Sequence, residues 1–183
     1  MRALAAFAAA VLLASPLYAA PNADRDQPVD IDADRVNVDD RNKVSVFEGN
    51  VVLTQGSMSI KSDKLVVTQD AEGFYNGVAT ANGGRLATFR QKRASDGSWV
   101  DGEAERIEYS SRADKAKLFN RAQVKNGGDL VRGQYIEYDA VTENYLVTDA
   151  PGRAPQTTSG EKPRVHVTIQ PRKNDRKNAG ASE

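Results

Sequence analysis

The 183-residue chain predicts an all-β fold of many short antiparallel strands, and three features of the sequence carry that prediction. Two-residue alternation recurs at Val36-x-Val38, Val44-x-Val46, Val51-x-Leu53, Met58-x-Ile60, Leu65-x-Val67, Ile107-x-Tyr109 and Ile136-x-Tyr138. Such alternation turns one apolar face inward. Turn formers separate the runs at 39–42, 55–57, 70–73, 82–84, 96–98 and 126–129, which is the punctuation of an antiparallel sheet.

The third feature is a repeat. The segments beginning at Ile31, Ile60 and Val131 share one pattern (apolar, four residues, apolar, one residue, apolar) that ends at Val38, Val67 and Tyr138. A longer relative runs from Val100 to Tyr109, with two extra residues at its start. Val36 and Leu65 lie 29 residues apart, as do Ile107 and Ile136; the wider gap from Leu65 to Ile107 holds an insertion around 82–98. Each segment leads through a turn to a second apolar block, around Phe47, Phe74, Phe119 and Leu146. The chain therefore reads as about four hairpin-like units that stack because none can bury an apolar face alone.

At the N-terminus, Met1-Arg2, an apolar run from Ala3 to Ala14 and the exit Leu17-Tyr18-Ala19-Ala20 have the form of a secretory signal peptide, 1–19, cleaved after Ala19. The run is short of the about 20 helical residues that cross a bilayer. One β domain is expected over 20–170, with its core at 27–149, a linker at 150–163 and a last strand at 164–170. The polar residues 171–183 are expected to form a disordered tail.

Composition narrows the chemistry. There is no cysteine, which removes disulfides, thiolate catalysis and Cys-ligated zinc. Lys and Arg number 25 against 25 Asp and Glu, so there is no broad basic field for nucleic acid. His166, the one histidine, falls in an alternating strand and reads as a surface residue. Glu103 and Glu105 share a strand face at i and i+2, the placement a glycosidase pair could use, yet the same spacing marks the solvated side of a half-buried strand. Ser57, Ser59 and Ser62 have no histidine near in sequence, and no Gly-x-Ser-x-Gly turn occurs. The Asn-Gly and Gly-Gly pairs read as hairpin turns, since no helix follows them. No catalytic residue, metal site or cofactor is expected.

The run Asp26-Gln-Pro-Val-Asp-Ile-Asp-Ala-Asp34, then Phe47-Glu-Gly-Asn-Val-Val-Leu-Thr-Gln-Gly56, Ile60-Lys-Ser-Asp-Lys-Leu65 and Ala87-Thr-Phe-Arg-Gln91 resemble the OstA-like domain of the LptA family, over about 27–170. That resemblance implies a single open, twisted β-jellyroll of V-shaped antiparallel strands. It also implies a periplasmic, non-enzymatic bridge that carries lipopolysaccharide from inner to outer membrane. The implied partners are the lipid A part of lipopolysaccharide, an LptC-like inner-membrane domain, an LptD-like outer-membrane domain and further copies stacked head to tail.

The resemblance places Val29, Ile31 and Phe89 at lipid contacts. Strand parity and the repeat turn Val36, Val38, Ile60, Leu65, Val67, Ile107, Tyr109, Ile136 and Tyr138 inward beside them, although each would be needed as core even without a ligand. Edge strands at Pro28, Val29, Asp30, Ile31 and Asp32, and at Val165, Val167 and Ile169, would join neighbouring domains by strand addition. The alternatives are a structural or assembly partner of the cell envelope with a filled core and no lipid ligand, and a glycan-active enzyme using Glu103 and Glu105.

Overall fold

The computed structural model describes residues 23–148 and 165–168. The expected signal peptide, linker and tail, and Ile169 of the expected last strand, lie outside these residues. A 3-10 turn at Ala23–Asp26 leads into β1 (Val29–Asp32), β2 (Arg35–Asp39), β3 (Val44–Gln55), β4 (Met58–Gln69), β5 (Tyr75–Thr80) and β6 (Ala87–Lys92). There follow β7 (Trp99–Ala104), β8 (Arg106–Ser110), β9 (Lys115–Asn126), β10 (Asp129–Asp139), β11 (Asn144–Thr148) and β12 (His166–Thr168). All pair antiparallel in one sheet.

Four long strands, β3, β4, β9 and β10, each have different neighbours on their two halves, and this divides the sheet into two arms. In the first arm the pairing sets Val36, Phe47, Leu65, Ala79, Ile107, Leu118, Ile136 and Val147 side by side across eight strands. In the second arm Ile31, Leu53, Ile60, Phe89, Gly102, Val124, Val131 and Val167 form the matching row. The arms face each other. Phe89 of one lies 6.1 Å from Tyr138 of the other, ring centre to ring centre, and a Cβ added to Gly102 would sit 2.9 Å from Leu118 Cδ2.

The repeat is the sequence mark of this V. Ile60 to Leu65 and Val131 to Ile136 each span five residues, an odd number that would put the two side chains on opposite faces of a straight strand. Ile60 and Leu65 are nonetheless both buried, because the strand bends between them. Ile31 to Val36 crosses the same bend with a break in the strand. In the unit read as Val100 to Tyr109 with two extra residues, the residue in register is Gly102, also five before Ile107; the unit has no insertion there. Val100 was read as the apolar start of this unit; at the place in register stands Gly102, and Leu118 fills the space beside it. The larger insertion at 82–98 is β6 with its flanking turns, the strand that completes the second arm.

The bend is held by polar groups at one repeat position. Asp34 N donates to Gly49 O at 3.0 Å while Asn50 Nδ2 donates to Asp34 Oδ2 at 2.9 Å. In the later unit Glu105 N donates to Asn120 O at 3.1 Å, and Arg121 Nε donates to Glu105 Oε1 at 2.7 Å. Gly49 and Asn50, like Asn120 and Arg121, have positive φ. A side chain on Gly49, at φ +81°, would collide with the Asp34 carboxylate. Gly49→Ala should therefore cost about 1–3 kcal/mol through left-handed strain and loss of the Asp34 bonds, seen as a lower urea midpoint at unchanged slope; an unchanged midpoint would count against this account of the bend.

Two inward assignments need correction. Val36 and Val38 lie in register with inward rows, yet they are 53% and 61% exposed because, among the described residues, β2 pairs with β3 alone and its inner face is left uncovered. They are edge residues rather than interior ones.

Candidate functional site

Between the arms, at the end of the sheet formed by β1 and β2, lies an apolar cleft of about 540 Å³. Ile31, Leu53 and Ile60 come from the second arm, and Phe47, Leu65 and Val67 from the first. Gln55 and Met58 close the second arm's tip; Phe74, Tyr75, Tyr109 and Ser111 close that of the first. Each wall is the inward row of the strands described above, so it follows from the same alternation that made them strands.

The other half of the interior is packed. Ile107, Leu118 and Ile136 are fully buried, Phe89 and Tyr138 are 2% exposed, and Tyr138 stacks on Tyr145 at 5.1 Å. The two halves of the chain are related: Ile31 and Gly102, Val36 and Ile107, Ile60 and Val131, and Val67 and Tyr138 stand 71 residues apart. The substitution of Tyr138 for Val67, together with the Phe89 ring, fills in the second half the space left open in the first.

Of the expected lipid contacts, Val29, Ile31, Ile60, Leu65, Val67 and Tyr109 come together on the cleft wall. Phe89, Ile107, Ile136 and Tyr138 belong to the packed half, and Val36 and Val38 to the exposed edge. Sequence reasoning missed Phe47, Leu53 and Met58 as wall residues. The alternation of Leu53 with Val51 and of Met58 with Ile60 was the available signal, and Phe47 lay in the block after the first repeat.

Tyr109 donates through its hydroxyl to Asp114 Oδ1 at 2.9 Å. Burial first, and then the Asp114 charge, push its ionisation well above the ordinary tyrosine range, so the cleft floor presents a neutral phenol at any physiological pH.

Two straps tie the tips of the V. The 3-10 turn is anchored on the second arm, where Asp24 accepts from Ser57 N at 2.7 Å, Ser57 Oγ at 2.6 Å and Gln91 Nε2 at 3.2 Å. Gln55 Nε2 donates to Arg25 O and Gln27 O at 3.2 and 3.1 Å. The turn reaches the first arm through Arg25 Nη2, which donates to Ser111 O at 3.2 Å. The second strap closes the packed half: Arg93 Nη2 pairs with Glu143 Oε2 at 2.6 Å, and Ser95 N donates to Glu143 Oε1 at 3.0 Å.

Pro28 precedes β1, and Val29, Asp30, Ile31 and Asp32 form that strand, which among the described residues pairs with β3 alone. At the far end Val165 precedes β12, which carries Val167 and among the described residues pairs with β10 alone. β2 and β11 are the matching edges of the first arm, each with one partner among the described residues. The two candidate glutamates have separate partners: Glu103 accepts from Gln123 Nε2 at 3.0 Å, and Glu105 serves the bend with Arg121. His166 pairs across from Arg132 in β10 and is exposed.

Comparison with known proteins places these features in a family. The family described as LptA/(LptD N-terminal domain) LPS transport protein matches residues 30–144. The chain is 31% identical over 167 residues to the lipopolysaccharide export system protein LptH of Pseudomonas aeruginosa, covering 91% of this chain and 93% of that one. It is 34% identical over 152 residues to the lipopolysaccharide export system protein LptA of Haemophilus influenzae, covering 83% and 87%. The crystal structure of the Pseudomonas aeruginosa LptH, a periplasmic component, superposes with a TM-score of 0.71 at 30% identity, covering 81% of this chain and 99% of that one.

The Glu143 strap gives a pH dependence. Burial raises the carboxyl's pKa, but the bonds from Ser95 and Arg93 outweigh it, so Glu143 stays below its ordinary 4.5. A depressed folded pKa lends stability that is complete above the unfolded value and drains away as pH falls through the folded one. Glu143→Gln should thus lower the melting temperature at pH 7 and narrow the loss of stability between pH 7 and pH 3; thermal melts across that range check it, and a variant losing stability with acid as steeply as the parent would contradict it.

Proposed function

The chain belongs to the LptA/(LptD N-terminal domain) family of LPS transport proteins, and on that basis we propose that it is a periplasmic bridge for lipopolysaccharide, holding lipid A acyl chains in the cleft between the arms. The supporting observation is the cleft itself: apolar side chains from both arms surround about 540 Å³ left unfilled, whereas the related half of the chain uses Phe89 and Tyr138 to fill its own. An acyl chain in water is stabilised by about 0.8 kcal/mol for each methylene buried. A stretch of about ten carbons is worth roughly 8 kcal/mol on that scale, enough to hold an insoluble lipid outside a membrane.

Assembly uses the edges. β1 and β2 at one end and β11 and β12 at the other each have one strand partner among the described residues, so both arms of the V end in edge strands from which a second copy could continue the sheet. Val29, Val36 and Val38 at one end, and Leu146, Val165 and Val167 at the other, are exposed apolar residues beside those edges. The same strand addition would join the chain to LptC-like and LptD-like domains, placing it between the inner and outer membranes. Its role is to hold and pass on the lipid without chemical change.

A dry assembly partner would use the same edges without the cleft, and Phe47→Asp, on the cleft wall but on β3, which has strands on both sides, separates the two. A charge on the cleft wall should weaken lipopolysaccharide binding at least about tenfold, from the loss of roughly 1.5–3 kcal/mol of apolar burial, while self-association measured by sedimentation persists. Unchanged lipopolysaccharide binding with altered self-association would favour the assembly partner and sink the carrier.

A further inference from the structure

Among the described residues the cleft wall has a single charged member. Its other residues are apolar, aromatic or neutral polar, and Arg25 stands at the rim, exposed, on the strap that spans the mouth. The strap's two ends are unequal. Asp24 is fixed by three donors on the second arm, and Gly56, at φ +57°, leaves room for its carboxylate where a side chain would collide. Arg25 holds the first arm by one bond to the Ser111 carbonyl, an exchangeable contact in solvent.

Other charges near the mouth are spoken for. Arg112 lies 4.4 Å over the Phe74 ring and is paired with Asp70 and Glu72. The Asp24 carboxylate points into Ser57 and Gln91, and Asp26 is not part of the wall. A guanidinium at the lip of an apolar cleft suits a ligand with a greasy body and an anionic head, and a phosphate offers it a charged, bidentate acceptor in place of a neutral carbonyl.

Resting on the carrier function proposed above, we infer that Arg25 recognises the phosphate of the bound glycolipid, exchanging its bond to Ser111 for the head group so that the strap opens as cargo seats. Acyl chains supply affinity in the cleft; Arg25 supplies discrimination between phosphorylated and unphosphorylated lipids. Asp24 remains the hinge.

The test measures binding of lipid A and of phosphate-free lipid A with the same acyl chains, in detergent, to the full chain and to Arg25→Gln and Arg25→Lys, with inorganic phosphate as competitor. The parent should prefer the phosphorylated lipid by about tenfold, the scale of a charged hydrogen bond. Arg25→Gln should abolish that preference, bringing the ratio of the two lipids' affinities to about one, and Arg25→Lys should keep part of it. Millimolar inorganic phosphate should not displace either lipid. A preference that survives in Arg25→Gln, equal loss of both lipids in that variant, or displacement by inorganic phosphate would overturn the inference. A parent that binds both lipids equally sinks only the role of Arg25, whereas a parent that binds neither sinks the carrier function with it.

Discussion

The structure depends on the bend in its long strands. A straight antiparallel sheet would have two faces to cover and a single layer to do it with. By changing, over five residues, which side of the strand points inward, β4 and β10 let one sheet supply both walls of its own interior. Asp34 and Glu105, at one position of the repeat, satisfy the backbone where the returning strands turn through left-handed residues. Had those side chains been apolar, the bend would keep its main-chain bonds but lose the Asn50–Asp34 and Arg121–Glu105 side-chain bonds that tie its strands together.

From the bend follows the arrangement of the interior. The two halves of the chain share a 71-residue relationship, yet they differ in bulk where it matters: Val67 against Tyr138, with Phe89 added from β6. Aromatic side chains carry the largest volumes a core can use; in the packed half Phe89, Tyr138 and Tyr145 meet one another, whereas Phe47, Phe74 and Tyr109 line the cleft wall. One half is a packed support, the other a cleft between the same kinds of strand. A filled half gives the open half rigid walls, since close-packed side chains resist displacement.

Much of the sheet was legible in the sequence because alternation and turn residues act locally. The strands around Val51, Ile60, Leu65, Ile107 and Ile136 and the turns between them declared themselves, and Asp34 and Asp63 stood at matching places in the repeat. β6 did not, since its inward residues are Ala87, Phe89 and Gln91, and a glutamine at an inward site hides the apolar period. Gly102 hid for a related reason: its inward space is filled by Leu118 from the opposite arm, a contact between residues of different strands. The cleft was less legible than the fold. Parity says which side chains point inward, but whether they meet packing or space depends on what the opposite arm places there, and whether they are covered at all depends on the edge, as Val36 and Val38 illustrate.

The most direct measurement compares neighbours on one strand. A photo-crosslinking residue placed at Phe47, which lines the cleft, and at Val46, which points to the other side of β3, samples lipid on the two faces of the same sheet in the cell envelope. Capture of lipopolysaccharide at 47 with little or none at 46 is the expected result. Equal capture at both positions, or none at 47 in a folded protein, would contradict a cleft that carries lipid between the arms.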